Sequence, residues 1–224
     1  MNATIDTADL IEFTDDELST VASAVTREVE RRTLEAASDA AAIIKGLECA
    51  KRALAVAATG GHSICFFGVK HSGKTMLRAL GLKLGHRLTF EARPCPCGNY
   101  NDPRLTCRCS EAKVRKALDA IPQAEIYCEV QRATAREFED AHTPTLASHI
   151  LNQMKQALPK ANRPTTLDKA AQSLLGSAMR EFPLSPVEVQ TIRKVASTIA
   201  ALDRADVIVS SHVCEAVNYC HRRF

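Results

Sequence analysis

Apolar and polar positions repeat along the chain with two periods, which together predict a small sheet surrounded by helices. Short runs rich in β-forming residues predict strands at Ser63–Phe67, Arg87–Ala92 and Glu125–Val130. Apolar residues at helical spacing predict helices at Asp15–Ala37, Glu48–Ala58, Met76–Leu84, Ser110–Leu118, Ser148–Leu158, Thr166–Phe182, Ser185–Leu202 and Ser210–Arg222. The chain is therefore expected to be an α/β protein in which most residues are helical and the sheet is small and parallel.

The first predicted strand leads into a phosphate-binding motif. Gly68–Thr75 fits G-x-x-x-x-G-K-[ST], and the predicted helix from Met76 follows it. In such a loop backbone N–H groups point at a polyphosphate, Lys74 supplies a positive charge, and the Thr75 hydroxyl binds Mg²⁺. ATP or ADP with Mg²⁺ is the predicted ligand, against the alternative of an ordinary strand–helix turn. The predicted nucleotide site comprises Gly68, Val69, Lys70, His71, Ser72, Gly73, Lys74, Thr75, Met76 and Ile44.

Four of the nine cysteines lie within fifteen residues, as two Cys-x-Cys pairs. Four thiolates form a closed tetrahedral zinc site, and the turn residues between the pairs can bring them together. The predicted zinc ligands are Cys95, Cys97, Cys107 and Cys109. Reduced surface thiols and redox-labile disulfides are the alternatives. The remaining cysteines are predicted to be small apolar core residues: Cys49, Cys65, Cys128, Cys214 and Cys220.

Charge is unevenly distributed along the 224 residues. Residues 1–41 contain ten acidic and three basic side chains, so the net charge of +3 leaves +10 on the rest of the chain. Basic residues also outnumber acidic ones around the cysteine pairs, where they could meet nucleic-acid phosphates. A solvated helix face is the favoured interpretation of this basic surface. The sequence shows neither a membrane span nor a signal-peptide pattern, which favours a cytoplasmic location.

Several longer motifs occur on both sides of the phosphate loop. They are Gly46-x-Glu-x-Ala-Lys-Arg-Ala-Leu54, Ala57-Ala-x-Gly-Gly-His62, Ser72-Gly-Lys-Thr-Met-Leu77, Pro94-Cys-Pro-Cys-Gly98, Asp102-Pro-Arg104, Cys107-x-Cys109, Val195-Ala-x-Thr-Ile-Ala200 and His212-Val-x-Glu-Ala-Val-x-Tyr219. In this order they resemble the magnesium-chelatase-related AAA+ ATPases of the ComM family. The resemblance implies an oligomeric ATP-driven motor related to DNA helicases, with a helical lid at its C-terminus.

The resemblance also predicts how the chain is organised. Residues 1–41 replace the family's Lon-like domain and lie outside the resemblance; their own charge and apolar spacing predict an acidic helical arm. Residues 42–131 would form a reduced P-loop core of the AAA+ type, with a Cys-rich loop at 93–110, and residues 140–224 a lid of four helices. Two strands of the family's sheet are missing, so Ser63–Phe67 is expected at the centre of the remaining three.

Departures from the family pattern indicate poor catalysis. Only about twenty residues separate Thr75 from Cys95, and none of them forms a strand ending in the family's acidic Walker B pair. Arg93 replaces a sensor asparagine, and His71 replaces a loop glycine. No carboxylate for Mg²⁺ or water and no arginine finger is identifiable from the motifs. Because losing an arginine finger alone slows phosphoryl transfer by about 10³–10⁵, we expect nucleotide binding with negligible hydrolysis.

Three classes of function agree with these patterns. The first is a nucleotide-binding, hydrolysis-deficient AAA+-like protein that is regulatory, forms a homo-oligomer or assembles with a full-length relative. The second is a zinc-stabilised DNA-binding module with a vestigial phosphate loop. The third is a folded remnant of an internal deletion that has no function. The first is favoured, and residual enzymatic activity is left open.

Overall fold

The computed structural model describes residues 43–136, 145–157 and 162–221, together with scattered positions between 16 and 41. Its elements in chain order are α1 (Glu48–Gly60), β1 (Ile64–Phe67), α2 (Lys74–Lys83), β2 (Thr89–Ala92), α3 (Glu111–Asp119), β3 (Ile126–Glu129), α4 (Thr145–Gln156), α5 (Lys169–Glu181), α6 (Pro186–Leu202) and α7 (Ser210–Cys220). The described positions from 16 to 33 are also helical, as predicted. The predicted fold class, mostly helical α/β with a small parallel sheet, is confirmed.

The three strands form one parallel sheet in the order β2-β1-β3. Ile64 of β1 is level with Thr89 of β2 and with Ile126 of β3, which confirms the central position predicted for β1. Ile64, Cys65 and Phe66 are fully buried, which explains the uninterrupted apolar run at this point of the sequence. Because all three strands run in the same direction, the segments that follow them leave the sheet at one edge.

The main hydrophobic core joins the sheet to the C-terminal helices. Ile64 and Phe66 of β1 belong to the same cluster of buried side chains as Leu77 of α2. This cluster continues without interruption to Val195 of α6 and Val213 of α7. Burying large apolar side chains stabilises the fold by about 1.5–3 kcal/mol each, so the sheet and the C-terminal helices stabilise each other.

Several helix ends follow the local signals in the sequence. The Ser185 hydroxyl accepts the Glu188 N–H at 3.3 Å, and the Glu188 carboxylate accepts the Ser185 N–H at 2.7 Å, which is a capping box with Pro186 at the first helical position. Helix α1 is capped by Gly61, whose φ of 72° is the left-handed conformation that glycine favours. No helix in the described ranges has both the length and the apolar character needed to cross a membrane.

The cysteines outside the two Cys-x-Cys pairs divide into two groups. Cys65, Cys128 and Cys220 are buried, as predicted for small core residues. Cys49 of α1 and Cys214 of α7 are exposed, so the prediction is wrong for these two. Both lie in helices whose neighbouring residues are buried, and helical periodicity turns these two positions to the outside.

Arg52 connects α1 to three of the C-terminal helices or their ends. Its Nε donates to Glu215 Oε1 at 3.1 Å, its Nη2 to Asp203 Oδ1 at 3.2 Å, and its Nη1 to Gln153 Oε1 at 2.9 Å. Burial acts to lower the pKa of Arg52, but Glu215 and Asp203 outweigh this effect and raise it. The guanidinium therefore stays charged at a partly buried junction.

We expect Arg52→Ala to lower the free energy of unfolding by about 1–3 kcal/mol, because it removes the cation that is paired with the partly buried Glu215 and with Asp203. Chemical denaturation monitored by circular dichroism measures this loss. Arg32→Ala is the matched control: it removes an exposed ion pair with Glu28, 2.7 Å long, and should cost at most about 0.5 kcal/mol. Equal losses in the two variants would contradict a special role for Arg52.

Candidate functional site

The phosphate loop after β1 has three residues with positive φ that shape its turn, namely Gly68, His71 and Gly73. Gly68 has φ of 137°, and a Cβ at this position would lie 2.4 Å from the carbonyl oxygen of Val130. Only glycine can pass so close to the backbone at the end of β3. His71 has φ of 58°, which costs a modest strain in a residue other than glycine. The turn predicted by the motif is therefore present, although His71 stands in it.

The ammonium group of Lys74 is bonded within this loop. Lys74 is 7% exposed, and its Nζ donates to the carbonyl oxygen of Gly68 at 3.1 Å and to Ser72 Oγ at 3.1 Å. It also donates to the carbonyl oxygen of Val69. The Ser72 hydroxyl is itself held by a 2.9 Å hydrogen bond to Val69. A positive charge is thereby fixed inside the loop that the motif assigns to phosphate.

Several other charges act on Lys74. Burial lowers the pKa of its ammonium, the Glu91 carboxylate acts in the opposite direction, and the Arg93 and Arg132 guanidinium groups lower it further. The Nη2 of Arg132 is buried and has no hydrogen-bond partner among the described residues. Positive charge therefore accumulates in a confined place, where a bound polyanion would stabilise it.

A cleft of 650 Å³ opens beside the loop and the start of α2. It is lined by Lys70, His71, Ser72, Gly73, Lys74, Thr75, Met76, Glu91, Ala92 and Arg93. The N-cap of α2 is Gly73, which has no side chain to occupy the N–H groups of the first turn, so these groups are suited to an anion. Of the predicted nucleotide residues, Gly68 and Val69 do not line the cleft, and Ile44 lies in the main hydrophobic core.

Glu91 is a charged cleft residue that the sequence motifs did not indicate. Its Oε2 accepts a hydrogen bond of 2.9 Å from Thr75 Oγ1, the hydroxyl predicted to bind Mg²⁺. No carboxylate for this purpose was identifiable from the motifs, and this contact supplies a candidate. The available signal was the alternation in the predicted strand Arg87–Ala92, which puts Glu91 on the same face as Thr89.

The two Cys-x-Cys pairs meet in one cluster. The sulfur atoms of Cys95 and Cys97 are 3.4 Å apart, those of Cys97 and Cys107 3.6 Å, and those of Cys95 and Cys107 3.8 Å. With Cys109, all four lie within 4.8 Å of one another, and none forms a disulfide. Four sulfurs at about 2.3 Å from a zinc ion would be about 3.8 Å apart in a tetrahedron. The cluster therefore has the size of a tetrathiolate site and can hold a metal ion.

The thiols of this cluster differ in acidity. The backbone N–H groups of Arg108 and Asn99 lower the pKa of Cys97 to about 6, because they stabilise its thiolate. The N–H of Cys109 acts in the same direction on Cys107, but desolvation and the neighbouring thiols outweigh it and raise the pKa of Cys107 to about 12. A thiolate at one cysteine thus makes deprotonation of the neighbouring thiols less favourable. A bound metal ion removes this penalty, because its positive charge stabilises several thiolates together.

The loop that contains the four cysteines is attached to the phosphate loop. The Lys70 N–H donates to the carbonyl oxygen of Gly98 at 2.8 Å. Asp102 Oδ1 accepts the Arg104 N–H at 2.9 Å, and Asp102 Oδ2 accepts from Arg132 Nε at 2.8 Å. The Arg104 N–H and the Arg132 guanidinium together lower the pKa of Asp102. The Cys loop is therefore anchored both to the phosphate loop and to the segment after β3.

Comparison with known families agrees with this geometry. Residues 40–85 match the family model for magnesium chelatase, subunit ChlI, and residues 121–220 match the model for the C-terminal part of the same subunit. Together the two segments include about two thirds of the chain. The chain belongs to the magnesium-chelatase-related AAA+ family. Residues 86–120, with β2 and the four cysteines, lie between the two matched segments. Comparison with curated proteins found no match.

We expect Cys97→Ser to release metal from the protein, because it removes one of four convergent ligands. Elemental analysis of the wild-type protein should find about one zinc ion per chain, and the variant should retain well under half of it. Cys214→Ser is the matched control, since this thiol is exposed and belongs to no cluster in the described residues. Full zinc content in Cys97→Ser, or a wild-type protein that takes up no zinc, would contradict the prediction.

Proposed function

We propose that this member of the magnesium-chelatase-related family binds ATP or ADP with Mg²⁺ in the cleft at Gly68–Thr75 and hydrolyses it negligibly. The main support is the position of Lys74, whose buried ammonium lies among the backbone groups of the phosphate loop. The first turn of α2 adds N–H groups that no capping side chain occupies. When a nucleotide binds, the Lys74 ammonium would donate to phosphate oxygens instead of to its present acceptors within the loop.

The charges of the cleft also favour a polyphosphate. Arg93 lines the same cleft as Lys74, and the Arg132 guanidinium is close enough to lower the pKa of Lys74. Arg93 and Arg132 repel the ammonium group of Lys74, and an anion bound between the three groups would stabilise all of them. Arginine also forms bidentate hydrogen bonds with phosphate oxygens. In this proposal Arg93 and Arg132 therefore contribute to binding, while Thr75 binds the Mg²⁺ of the nucleotide.

Negligible hydrolysis follows from the carboxylates that are present. Phosphoryl transfer to water needs a group that positions the attacking water, in addition to the groups that hold Mg²⁺ and the phosphates. Among the described residues that line the cleft, Glu91 is the one carboxylate, and it is bonded to Thr75. Because Glu91 is used on the Mg²⁺ side of the site, no carboxylate of the cleft is left to position the attacking water. The protein would thus act as a nucleotide-responsive subunit.

The remaining parts of the chain have proposed roles in assembly. Residues 1–41 would form an acidic arm, 42–131 the reduced P-loop core, and 140–224 the helical lid. The zinc ion held by the Cys cluster would be structural, because four protein ligands leave no open position for chemistry. The family resemblance implies an oligomer, and we propose that this chain forms a homo-oligomer or assembles with a full-length relative in the cell.

We expect ADP with Mg²⁺ to raise the unfolding temperature of the wild-type protein, because a ligand that binds only the folded state stabilises it. At about 100 times the dissociation constant, the gain is about 2.7 kcal/mol. Lys74→Ala should abolish the shift. Lys83→Ala removes an exposed lysine at the other end of the same helix and should leave the shift intact. A wild-type protein without any shift would contradict nucleotide binding and favour a non-functional remnant.

We expect phosphate release from ATP to stay at the background level of the buffer, since no group in the cleft is left to position water. A coupled phosphate assay with the purified protein measures this rate. Lys74→Ala provides the matched baseline, because it removes the phosphate contact and keeps the rest of the loop. Turnover above background in the wild-type protein that disappears in Lys74→Ala would overturn the claim of negligible hydrolysis.

The Cys cluster also supports a second candidate function, a zinc-stabilised DNA-binding module. Three arginines near the cluster are exposed, namely Arg104, Arg108 and Arg115. Contacts of arginines with DNA phosphates make affinity fall steeply as salt concentration rises. Binding of duplex DNA with such a salt dependence, reduced when the three arginines are neutralised and unaffected by Lys74→Ala, would favour this function over nucleotide binding.

A further inference from the structure

The direction of the Glu91 side chain is determined by the alternation of β2. Successive side chains of a strand point to opposite faces of the sheet. Phe90 and Ala92 pack on one face, against the small cluster formed by Cys65, Ile121 and Tyr127. Thr89 is buried on the other face, where its Oγ1 would lie 2.7 Å from a Cβ on Gly81 of α2. Glu91 therefore lies on the face of β2 that meets α2.

The parallel register then places Glu91 beside the phosphate loop. Glu91 is level with Phe66 of β1, two residues before Gly68. At this height the second residue of α2, Thr75, donates its hydroxyl hydrogen to Glu91 Oε2 at 2.9 Å. Both side chains are exposed to the cleft. The contact thus joins the hydroxyl of the motif to a carboxylate from a neighbouring strand.

A carboxylate in this position is unfavourable for an anion site unless a cation accompanies the anion. Glu91 and nucleotide phosphates would repel each other across the cleft. Mg²⁺ removes this conflict, because it prefers oxygen ligands and is bound in proteins by one or two carboxylates together with substrate phosphates. Glu91 next to Thr75 provides the negative charge, and Lys74 with Arg93 provides the positive charge for the phosphates. The cleft thus offers negative charge to Mg²⁺ and positive charge to the phosphates, as a magnesium–nucleotide complex requires.

We propose that Glu91, with Thr75, holds the Mg²⁺ of the bound nucleotide, and that β2 thereby provides the acidic residue that the short segment between Thr75 and Cys95 otherwise lacks. This inference rests on the proposed nucleotide binding. It assigns the carboxylate to a strand that pairs directly with β1. It also makes nucleotide affinity depend on Mg²⁺ through one identifiable side chain.

Isothermal titration with ADP in Mg²⁺ and in EDTA tests the assignment. Mg²⁺ should tighten ADP binding to the wild-type protein by about tenfold or more. Glu91→Gln should lose most of this gain in Mg²⁺, whereas in EDTA it should bind ADP as well as wild type or more tightly, because a repulsive charge is gone. Glu129→Gln is the matched control: it removes a carboxylate from the other edge strand, β3, and should behave as wild type.

Electron paramagnetic resonance with Mn²⁺ in place of Mg²⁺, recorded at saturating ADP, reports on the metal ion directly. Bound Mn²⁺ should be present in the wild-type complex with ADP, absent or much weaker in Glu91→Gln, and partly restored in Glu91→Asp. Equal weakening of ADP binding by Glu91→Gln in Mg²⁺ and in EDTA would overturn the inference and indicate a structural role. An unchanged Mg²⁺ dependence would also overturn it, and nucleotide binding would stand. Absence of ADP binding in every condition would overturn both.

Discussion

The parallel pairing of β1 with β2 and β3 is the constraint on which the candidate site depends. Parallel strands bring their carboxyl ends to one edge, so the phosphate loop, the Cys loop and the segment with Arg132 emerge side by side. With four residues in each strand, a shift of one residue would turn Glu91 to the opposite face and away from Thr75. The geometry of the cleft is thus a consequence of strand register.

The Cys loop and the phosphate loop are physically coupled through this edge. Lys70, which lines the cleft, is bonded to Gly98, and Arg132 is bonded to Asp102, so ordering the Cys loop also orders these two basic residues. A metal ion in the cluster would stabilise these contacts, because its binding energy adds to the stability of the folded loop. The geometry of the cleft is therefore linked to the order of the Cys loop.

The C-terminal helices contribute to the same arrangement from the other side. They share one hydrophobic core with the sheet, and Arg52 adds polar contacts at the junction. A second junction is formed by His62, whose Nε2 lies 3.0 Å from Thr198 Oγ1 of α6. Desolvation lowers the pKa of His62, although Glu125 acts to raise it. Three strands can be stable under such helical cover.

Local patterns were enough to predict the strands, the turn at Gly68–Thr75 and the clustering of the four cysteines, because each depends on residues close together in the sequence or on a motif with fixed spacing. Burial of Cys49 and Cys214 was predicted wrongly, because the apolar character of cysteine was given more weight than the outward position of each residue on its helix. The contact of Glu91 with Thr75 joins residues sixteen positions apart on different elements. Only the pairing of β2 with β1 and the packing of α2 bring them together, because strand register and helix position are properties of the assembled fold.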